Sequence, residues 1–332
     1  MSVLGFGGGP LGNLYQPVSD RQATATVDAA WEAGVRVFDT APYYGLGLSE
    51  RRMGDALRAR PRREFVLSTK VGRLLEPDST DPLASERHGF VTAMPFRVRF
   101  DYSYDGIMRS YEASLHRLGL ARIDLLLVHD LGRATHGDEH VRHMAAFADS
   151  GYRAMDELRR SGDVSGIGIG ANESAVCAEV LKIGRIDRIL LAGRYTLLEQ
   201  AALHDLFPQC AAHGARLILG GIYNSGILAT GTRAPGIPRF NYAPAPPEVV
   251  QRVRQIEAVC ESHGVSLAAA ALQFALAHPL VECVIPGLCS PQEVQQTLQL
   301  AQEPVPGLFW RQLKDAALLD PNAPTPGAAC AA

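Results

Sequence analysis

Four side chains in the first half of the chain have the types and spacing of a proton-transfer site. Asp39 ends the short apolar run Val35–Phe38. Tyr43 and Tyr44 follow it across a proline turn in Gly34-Val-Arg-Val-Phe-Asp-Thr-Ala-Pro-Tyr-Tyr-Gly45. Lys70 closes the run Phe65–Thr69, and His129 closes Ile123–Val128. Of the four, Tyr44 alone can both donate and accept a proton at a developing alkoxide. A free phenol, with a pKa near ~10, is a poor base at neutral pH. A nearby cation favours the phenolate, and Lys70 can supply it. Asp39 would keep Lys70 charged and aimed, and His129 would hold the reacting oxygen, in a protonation state the sequence does not assign. Taken singly, each has a structural reading: a buried Asp39–Lys70 bridge, a loop aromatic, a core histidine. Four such residues at three successive strand ends favour a site, because the strand C-termini of a parallel barrel gather at one face.

The elements that must position them alternate. A strand at Val3–Gly5 runs into Gly7-Gly8-Gly9-Pro10-Leu11-Gly12. That glycine pattern, with Asp39 beyond it, also fits a dinucleotide-binding βαβ unit. Such a unit needs a helix directly after the last glycine, whereas Asn13–Pro17 reads as a loop, and it leaves Lys70 and His129 unexplained. Helix Asp20–Ala33, capped near Ser19, turns Val27, Ala30 and Trp31 inward. Helix Ser49–Ala59 has Ser49 as its N-cap candidate, with Arg52 and Arg58 on its wet side. Strand Phe65–Lys70 follows, then an irregular Val71–Ser103 of the length typical of functional lids. Helix Tyr104–Leu118, strand Ile123–His129 and a second long loop from Asp130 to about Ser150 come next. Helix Gly151–Ser161, strand Val164–Gly170, helix Ser174–Ile183, strand Arg188–Ala192, helix Ala201–His213 and strand Arg216–Gly220 continue the alternation. The loop Gly221–Pro247, helices Glu248–His263 and Ser266–His278, strand Val281–Ile285 and a last helix from about Pro291 complete it. Eight strands in βα alternation predict an α/β fold, a single-domain (β/α)8 TIM barrel over 1–320, with 321–332 as a disordered tail.

With these residues in place the chain resembles the aldo-keto reductase family. The resemblance rests on Asp39-Thr-Ala-Pro-Tyr-Tyr44-Gly with Lys70 and His129. Arg109-Ser-Tyr-Glu-Ala-Ser-Leu-His-Arg-Leu-Gly119, Ile167-Gly-Ile-Gly-Ala-Asn172 and Ile285-Pro-Gly287 agree with it. It implies a barrel that binds nicotinamide dinucleotide without a Rossmann domain, with Tyr44 as acid/base and Asp39, Lys70 and His129 as its partners. It further implies cofactor contacts at Asn172, Gly220, Tyr223, Ser225, Gly287, Ser290, Glu293 and Gln296, with Asn172 on the nicotinamide carboxamide. Three positions depart from the family pattern: Ala171 replaces a frequent Ser, Ala192 a frequent Gln, and Gly220 the aromatic that stacks on the nicotinamide, so that Tyr223 or another ring would have to substitute. The chain also starts at the first strand, without the hairpin that usually plugs the barrel floor. Ala192-Gly-Arg-Tyr-Thr-Leu-Leu198, Tyr223-Asn-Ser-Gly-Ile-Leu228 and His129-Asp-Leu-Gly-Arg-Ala-Thr-His-Gly137 resemble one branch, the aldose 1-dehydrogenases acting on L-fucose and related sugars. That implies oxidation of an anomeric hydroxyl to a lactone, with Tyr43, Asp130 and Arg194 as candidates for reading sugar hydroxyls. Neighbouring branches oxidise pyridoxal. An NADPH-dependent carbonyl reductase and a non-catalytic dinucleotide-sensing accessory subunit are the other readings.

Cofactor choice follows from charge. Family members that prefer the 2′-phosphorylated cofactor usually carry Lys or Arg at the positions of Gly287 and Glu293. A phosphate wants cationic donors, whereas Glu293 would repel it and accept from a free 2′-hydroxyl, so NAD is expected over NADP. Glu293 could equally be a solvated acid in a helix's first turn. His136, His140 and His143, with Asp138 and Glu139, have a spacing compatible with a divalent metal, but read better as a polar lid, and no metal is expected. A net charge of −3 gives no pull toward nucleic acid or anionic membrane. No apolar run approaches the ~20 residues of a membrane span, and no signal peptide precedes the first strand. Six scattered cysteines without a Cys-x-x-Cys pair suggest reduced thiols and a cytoplasmic protein with a small-molecule substrate. Oligomeric state is open.

Overall fold

The computed structural model describes residues 3–79 and 86–327. Part of the expected lid (80–85) and the end of the expected tail (328–332, with Cys330) lie outside the described residues. The central sheet is an all-parallel ring. Its strands are β1 (Val3–Leu4 continued by Phe6–Gly7), β2 (Val37–Asp39), β3 (Val66–Val71), β4 (Leu125–His129), β5 (Gly166–Ala171), β6 (Arg188–Ala192), β7 (Arg216–Gly220) and β8 (Val281–Val284). Val3–Leu4 pairs with β8 and Phe6–Gly7 pairs with β2, so the two halves of one strand close the (β/α)8 barrel. Inward-facing Leu125, Leu127, Leu190, Ile218, Cys283 and Ile285 fill its centre. Their neighbours Leu126, Val128, Ile189, Leu191, Leu217 and Leu219 join the shell under the helices. This period of two is the strand pleat, with both faces apolar because helices cover the outside.

The helices follow the sequence closely where an apolar stripe marks them. Asp20–Glu32 starts on Ser19, whose hydroxyl accepts from Gln22 N, and buries Val27, Ala30 and Trp31. Four expectations need correction. Helix Leu48–Leu57 is preceded by Gly47, and Ser49 lies inside it, donating to Gly8 O at 2.7 Å. Arg52 is buried rather than wet, bonding Leu11 O, Asn13 Oδ1, Val18 O and Asp20 Oδ1 and so gathering the loop after β1. The described part of 71–103 is not irregular: Arg73–Pro77 pairs antiparallel with Phe96–Phe100, and Glu86–Arg87 with Phe90–Val91. Alternation of Arg73, Leu75 against Phe96, Val98, Phe100 supports this ribbon, but its Pro and charged residues obscured the pattern. The loop after β4 is helical, with turns at Arg133–His136, Gly137–Glu139, His140–Ala146 and Phe147–Gly151 leading into helix Tyr152–Ser161, anchored by the fully buried Phe147.

Beyond helix Pro291–Gln302 lies a further helix, Gly307–Asp315, which buries Phe309, Trp310 and Leu313. The described start of the expected tail packs as well, with Ala323 buried and Lys314 Nζ donating to Pro321 O and Ala323 O. Proline-rich composition hid these contacts. The loop after β7 carries its own short hairpin, Arg239–Phe240 with Ala243–Pro244. Among the described residues, no single helix is long and apolar enough to cross a membrane.

Candidate active site

The ends of β2, β3 and β4 bring the four expected residues to one mouth. Asp39 stands opposite Ser68 in the β2–β3 register, and Ser68 Oγ donates to Asp39 Oδ1 at 2.7 Å. Lys70, one turn of the pleat further, donates to Asp39 Oδ2 at 2.7 Å and to Thr40 O at 2.9 Å, with both side chains buried. Thr69, between them, points outward to the fully buried Glu50, which also takes a hydrogen bond from Arg117 Nε at 2.5 Å. This outer ion pair fastens β3 to two helices and fixes the register of Lys70. The turn that presents Tyr44 is held by Tyr44 N–Ala41 O and Ser49 N–Tyr44 O, both at 3.1 Å. Gly12 explains the glycine run: a Cβ there would stand 2.5 Å from Gly45 N and Tyr44 C. Close backbone approach to the tyrosine turn, rather than phosphate binding, requires that glycine.

Lys70 Nζ lies 4.9 Å from the centre of the Tyr44 ring, and the His129 ring stands edge-on to it at 6.0 Å. Burial, with Asp39, Tyr242 and Asp130 adding to it, holds the Tyr44 phenol well above its ordinary pKa, and Arg73 opposes the rise. The lowering of the phenol pKa expected from a nearby cation is outweighed in the free protein, chiefly by burial. Tyr44 is a protonated donor here. Burial pushes the Asp39 carboxyl up, against the pull of Lys70 and Ser68. Burial, then Arg73 and Lys70, holds His129 well below the usual imidazole value, so the ring is neutral. Its Nε2 is 3.3 Å from Asp130 Oδ2, while Nδ1 is buried without a partner among the described residues.

A second ring of side chains surrounds these four, and sequence reasoning missed most of it. Arg73, the first residue of the ribbon, bonds Asp130 Oδ2 at 2.5 Å and lies 4.1 Å over the Tyr43 ring. Tyr43 also packs on Phe90 and His88. Tyr102 donates to His129 O at 2.9 Å, so His136 Nε2, also 2.9 Å from that hydroxyl, must be the donor to it. His140 instead pairs with Leu131 O and Glu179, while the His143 ring lies against that of His136. Tyr242 sits at the tip of the post-β7 hairpin, where Asn241 and Tyr242 have φ of 49° and 65°. The Asn172 side chain is among the groups acting on its hydroxyl, opposing the rise that burial causes, and its backbone N donates to Ser225 Oγ at 2.9 Å. The Asn between apolar flanks was the sequence signal for this turn.

The remaining candidates lie along the ends of β5 to β8. Arg194 donates from Nε to Asn172 O at 2.6 Å and from NH1 to Gly193 O, which makes it a support for Asn172. Gly220 leaves a bare floor at the end of β7, where a Cβ would meet only ordinary contacts from 3.5 Å. The Tyr223 ring packs against the core, and its buried hydroxyl has no partner among the described residues. An orphan hydroxyl near a bare strand end fits a planar polar group such as a nicotinamide. Gly287 bridges Gly7, and Ser290 caps helix Pro291–Gln302 by accepting from Glu293 N at 3.2 Å. The Glu293 carboxylate takes Cys289 N at 2.7 Å. Other contacts to Cys289 come from neutral Gln16 and Gln22, and no cation bonds this group among the described residues. Gln296 is exposed, on the rim of a cleft of ≈ 630 Å³ that none of the four catalytic candidates lines.

A model of the Aldo/keto reductase family matches residues 3–317. Pyridoxal 4-dehydrogenase of Microbacterium luteolum is 42% identical over 329 residues, spanning 96% of this chain and 95% of its own. D-threo-aldose 1-dehydrogenase of a Pseudomonas species is 39% identical over 327 residues, spanning 98% and 95%. A solved aldo-keto reductase from Bacillus halodurans, in its holo form, superposes with a TM-score of 0.71 at 25% identity, covering 94% of this chain and 91% of its own.

Proposed function

The chain belongs to the aldo/keto reductase family, whose members use nicotinamide dinucleotides, and from that membership we propose an NAD-dependent dehydrogenase that oxidises the anomeric hydroxyl of an L-fucose-like aldose to the lactone. The observation that carries this reading is the Tyr44 ring held between Lys70 and His129, next to the charged pair Asp130–Arg73. Such a mouth suits a substrate rich in hydroxyls. Tyr44 takes the proton from the anomeric hydroxyl. His129 donates from Nε2 to the same oxygen, and Lys70, fixed by Asp39, supplies positive charge as the phenol and substrate exchange the proton. A nicotinamide dinucleotide, when bound, would supply the acceptor for the hydride on the anomeric carbon. Asn172 would hold its carboxamide, and Gly220, Tyr223, Ser225, Gly287, Ser290, Glu293 and Gln296 are the residues that would hold the rest. Tyr43, Asp130 and Arg194 line the substrate side.

Preference for NAD over NADP rests on the carboxylate of Glu293 and the neutral groups around it. The five described cysteines are buried free thiols, which suits a cytoplasmic protein. A second reading keeps the chemistry and changes the substrate to the hemiacetal of pyridoxal. The aromatic wall of Tyr43, His88 and Phe90 favours it. Initial rates of nicotinamide reduction on an aldose panel and pyridoxal, with NAD and NADP in parallel, test both. Saturable turnover of L-fucose with NAD is expected. Exclusive turnover of pyridoxal would select the second reading, and activity only as an NADPH-driven reductase would remove both.

A further inference from the structure

Arg73 and Asp130 are placed with more care than a structural tie requires. Gly72, just before Arg73, has φ +96°, and a Cβ there would stand 2.3 Å from the Tyr102 ring. Only glycine lets β3 bend at that point into the ribbon that carries Arg73. Asp130 is a non-glycine residue at φ 44°, held there by its N–H bond to Gly170 O. Backbone strain of this kind concentrates at ligand sites. The Arg73 guanidinium is 5% exposed and flanked by the rings of Tyr43 at 4.1 Å and Phe100 at 5.4 Å. Only one of its bonds is to a carboxylate, and its buried Nε has no partner among the described residues. Asp130 Oδ2 takes Arg73 and faces His129 Nε2 at 3.3 Å, whereas among the described residues no group donates to Oδ1. A carboxylate oxygen and a guanidinium N–H, neither with a hydrogen-bond partner among the described residues, thus belong to two side chains joined by one ion pair beside His129.

Resting on the dehydrogenase reading above, we propose that Asp130 and Arg73 form a subsite for a second substrate oxygen, one that neighbours the oxidised centre. Asp130 Oδ1 accepts from that hydroxyl and Arg73 Nε donates to its oxygen. His129 Nε2 lies 3.3 Å from the Asp130 carboxylate, so a molecule with oxygens on adjacent carbons is of a size to place one at His129 Nε2 and the other at Asp130 Oδ1. In an aldose the second oxygen is the C2 hydroxyl. In the pyridoxal hemiacetal it is the ring hydroxyl next to the reacting branch. The chemistry is the same, an acidic or neutral hydroxyl presented beside an oxidisable carbinol, and it sets which carbinols are oxidised.

The test compares kcat/KM for L-fucose with its 2-deoxy analogue, and for pyridoxal with 3-deoxypyridoxal, in the wild type, Asp130→Asn and Arg73→Lys. The wild type is expected to favour the hydroxylated member of the pair it turns over by about 10²-fold, since deleting the hydroxyl leaves a charged pair unanswered. Asp130→Asn should collapse that ratio by slowing the hydroxylated substrate more than its analogue. The pair that carries the large ratio identifies the source of the oxygen. A purely structural tie would lower the melting temperature and slow both members alike. Equal rates for both members in the wild type, or an unchanged ratio in folded variants, would overturn the subsite while leaving the dehydrogenase standing. Absence of turnover with all four compounds would remove the reading on which it rests, and the subsite with it. The wild-type ratio needs no variant, so misfolding of a mutant does not blur the outcome.

Discussion

Tyr44 carries the chemistry only if its proton moves, and its surroundings say when it can. Burial and the carboxylate of Asp39 keep the phenol protonated, while the Lys70 charge is already paired with Asp39. Oxidation needs Tyr44 as acceptor, so its rate should climb with pH through the neutral range and show no plateau below the ordinary phenol value of about 10. The reverse reduction should fall over the same range. His129, held neutral, should add no limb near the free imidazole value. A pH–rate profile in both directions checks this, and a plateau at neutral pH would contradict it. Tyr44→Phe should lower turnover by about 10³-fold with dinucleotide binding, read by fluorescence, unchanged. Near-native turnover in that variant would take Tyr44 out of the chemistry. Glu293→Arg should move the NAD-to-NADP ratio of kcat/KM toward NADP, by exchanging a repelling carboxylate for a guanidinium. An unmoved ratio would leave Glu293 as a capping residue only.

At the scale of elements, the barrel strands and the site they end in were readable because they are continuous apolar runs closed by single polar residues. Asp39, Lys70 and His129 each end such a run, and the structure brings all three to Tyr44. What was not readable depends on partners distant in sequence. Arg52 reads as wet on its helix, yet the loop after β1 holds it, and the neighbouring Glu50, which drew no reading, is buried by Thr69 and Arg117. Arg73 and Tyr242 lie in segments whose Pro, Gly and charge content suggested loops, so their approach to the site could not be seen. The same long-range packing gives a mechanical prediction. A Cβ on Gly54 would stand 1.9 Å from Leu118 O, where helix Leu48–Leu57 crosses the end of helix Tyr104–Leu118. Gly54→Ala should cost roughly 1–3 kcal/mol through backbone displacement. Denaturant unfolding with no loss of stability would show that the crossing is looser than drawn.

For the whole molecule, the ring closes on one strand shared between its first and last units, and the mouth of that ring gathers residues from β2 through β8. Neutral histidines in its shell link stability to pH. His278, packed on Phe207 and Tyr195, and His136 are both lowered to about 4, chiefly by burial. The unfolded chain binds these protons near its ordinary value of about 6.5, so the folded state holds fewer protons between there and 4. Stability should therefore fall as pH drops through that window, and His278→Asn should flatten part of the fall in urea titrations. A stability that rises on acidification would refute that linkage. The most direct measurement of whether hydride leaves the anomeric carbon of an aldose supplies L-fucose deuterated at C1 with NAD and follows both products by NMR. The lactone together with deuterium on the reduced nicotinamide is expected. Reduced cofactor without deuterium, or no lactone, would refute the proposed reaction.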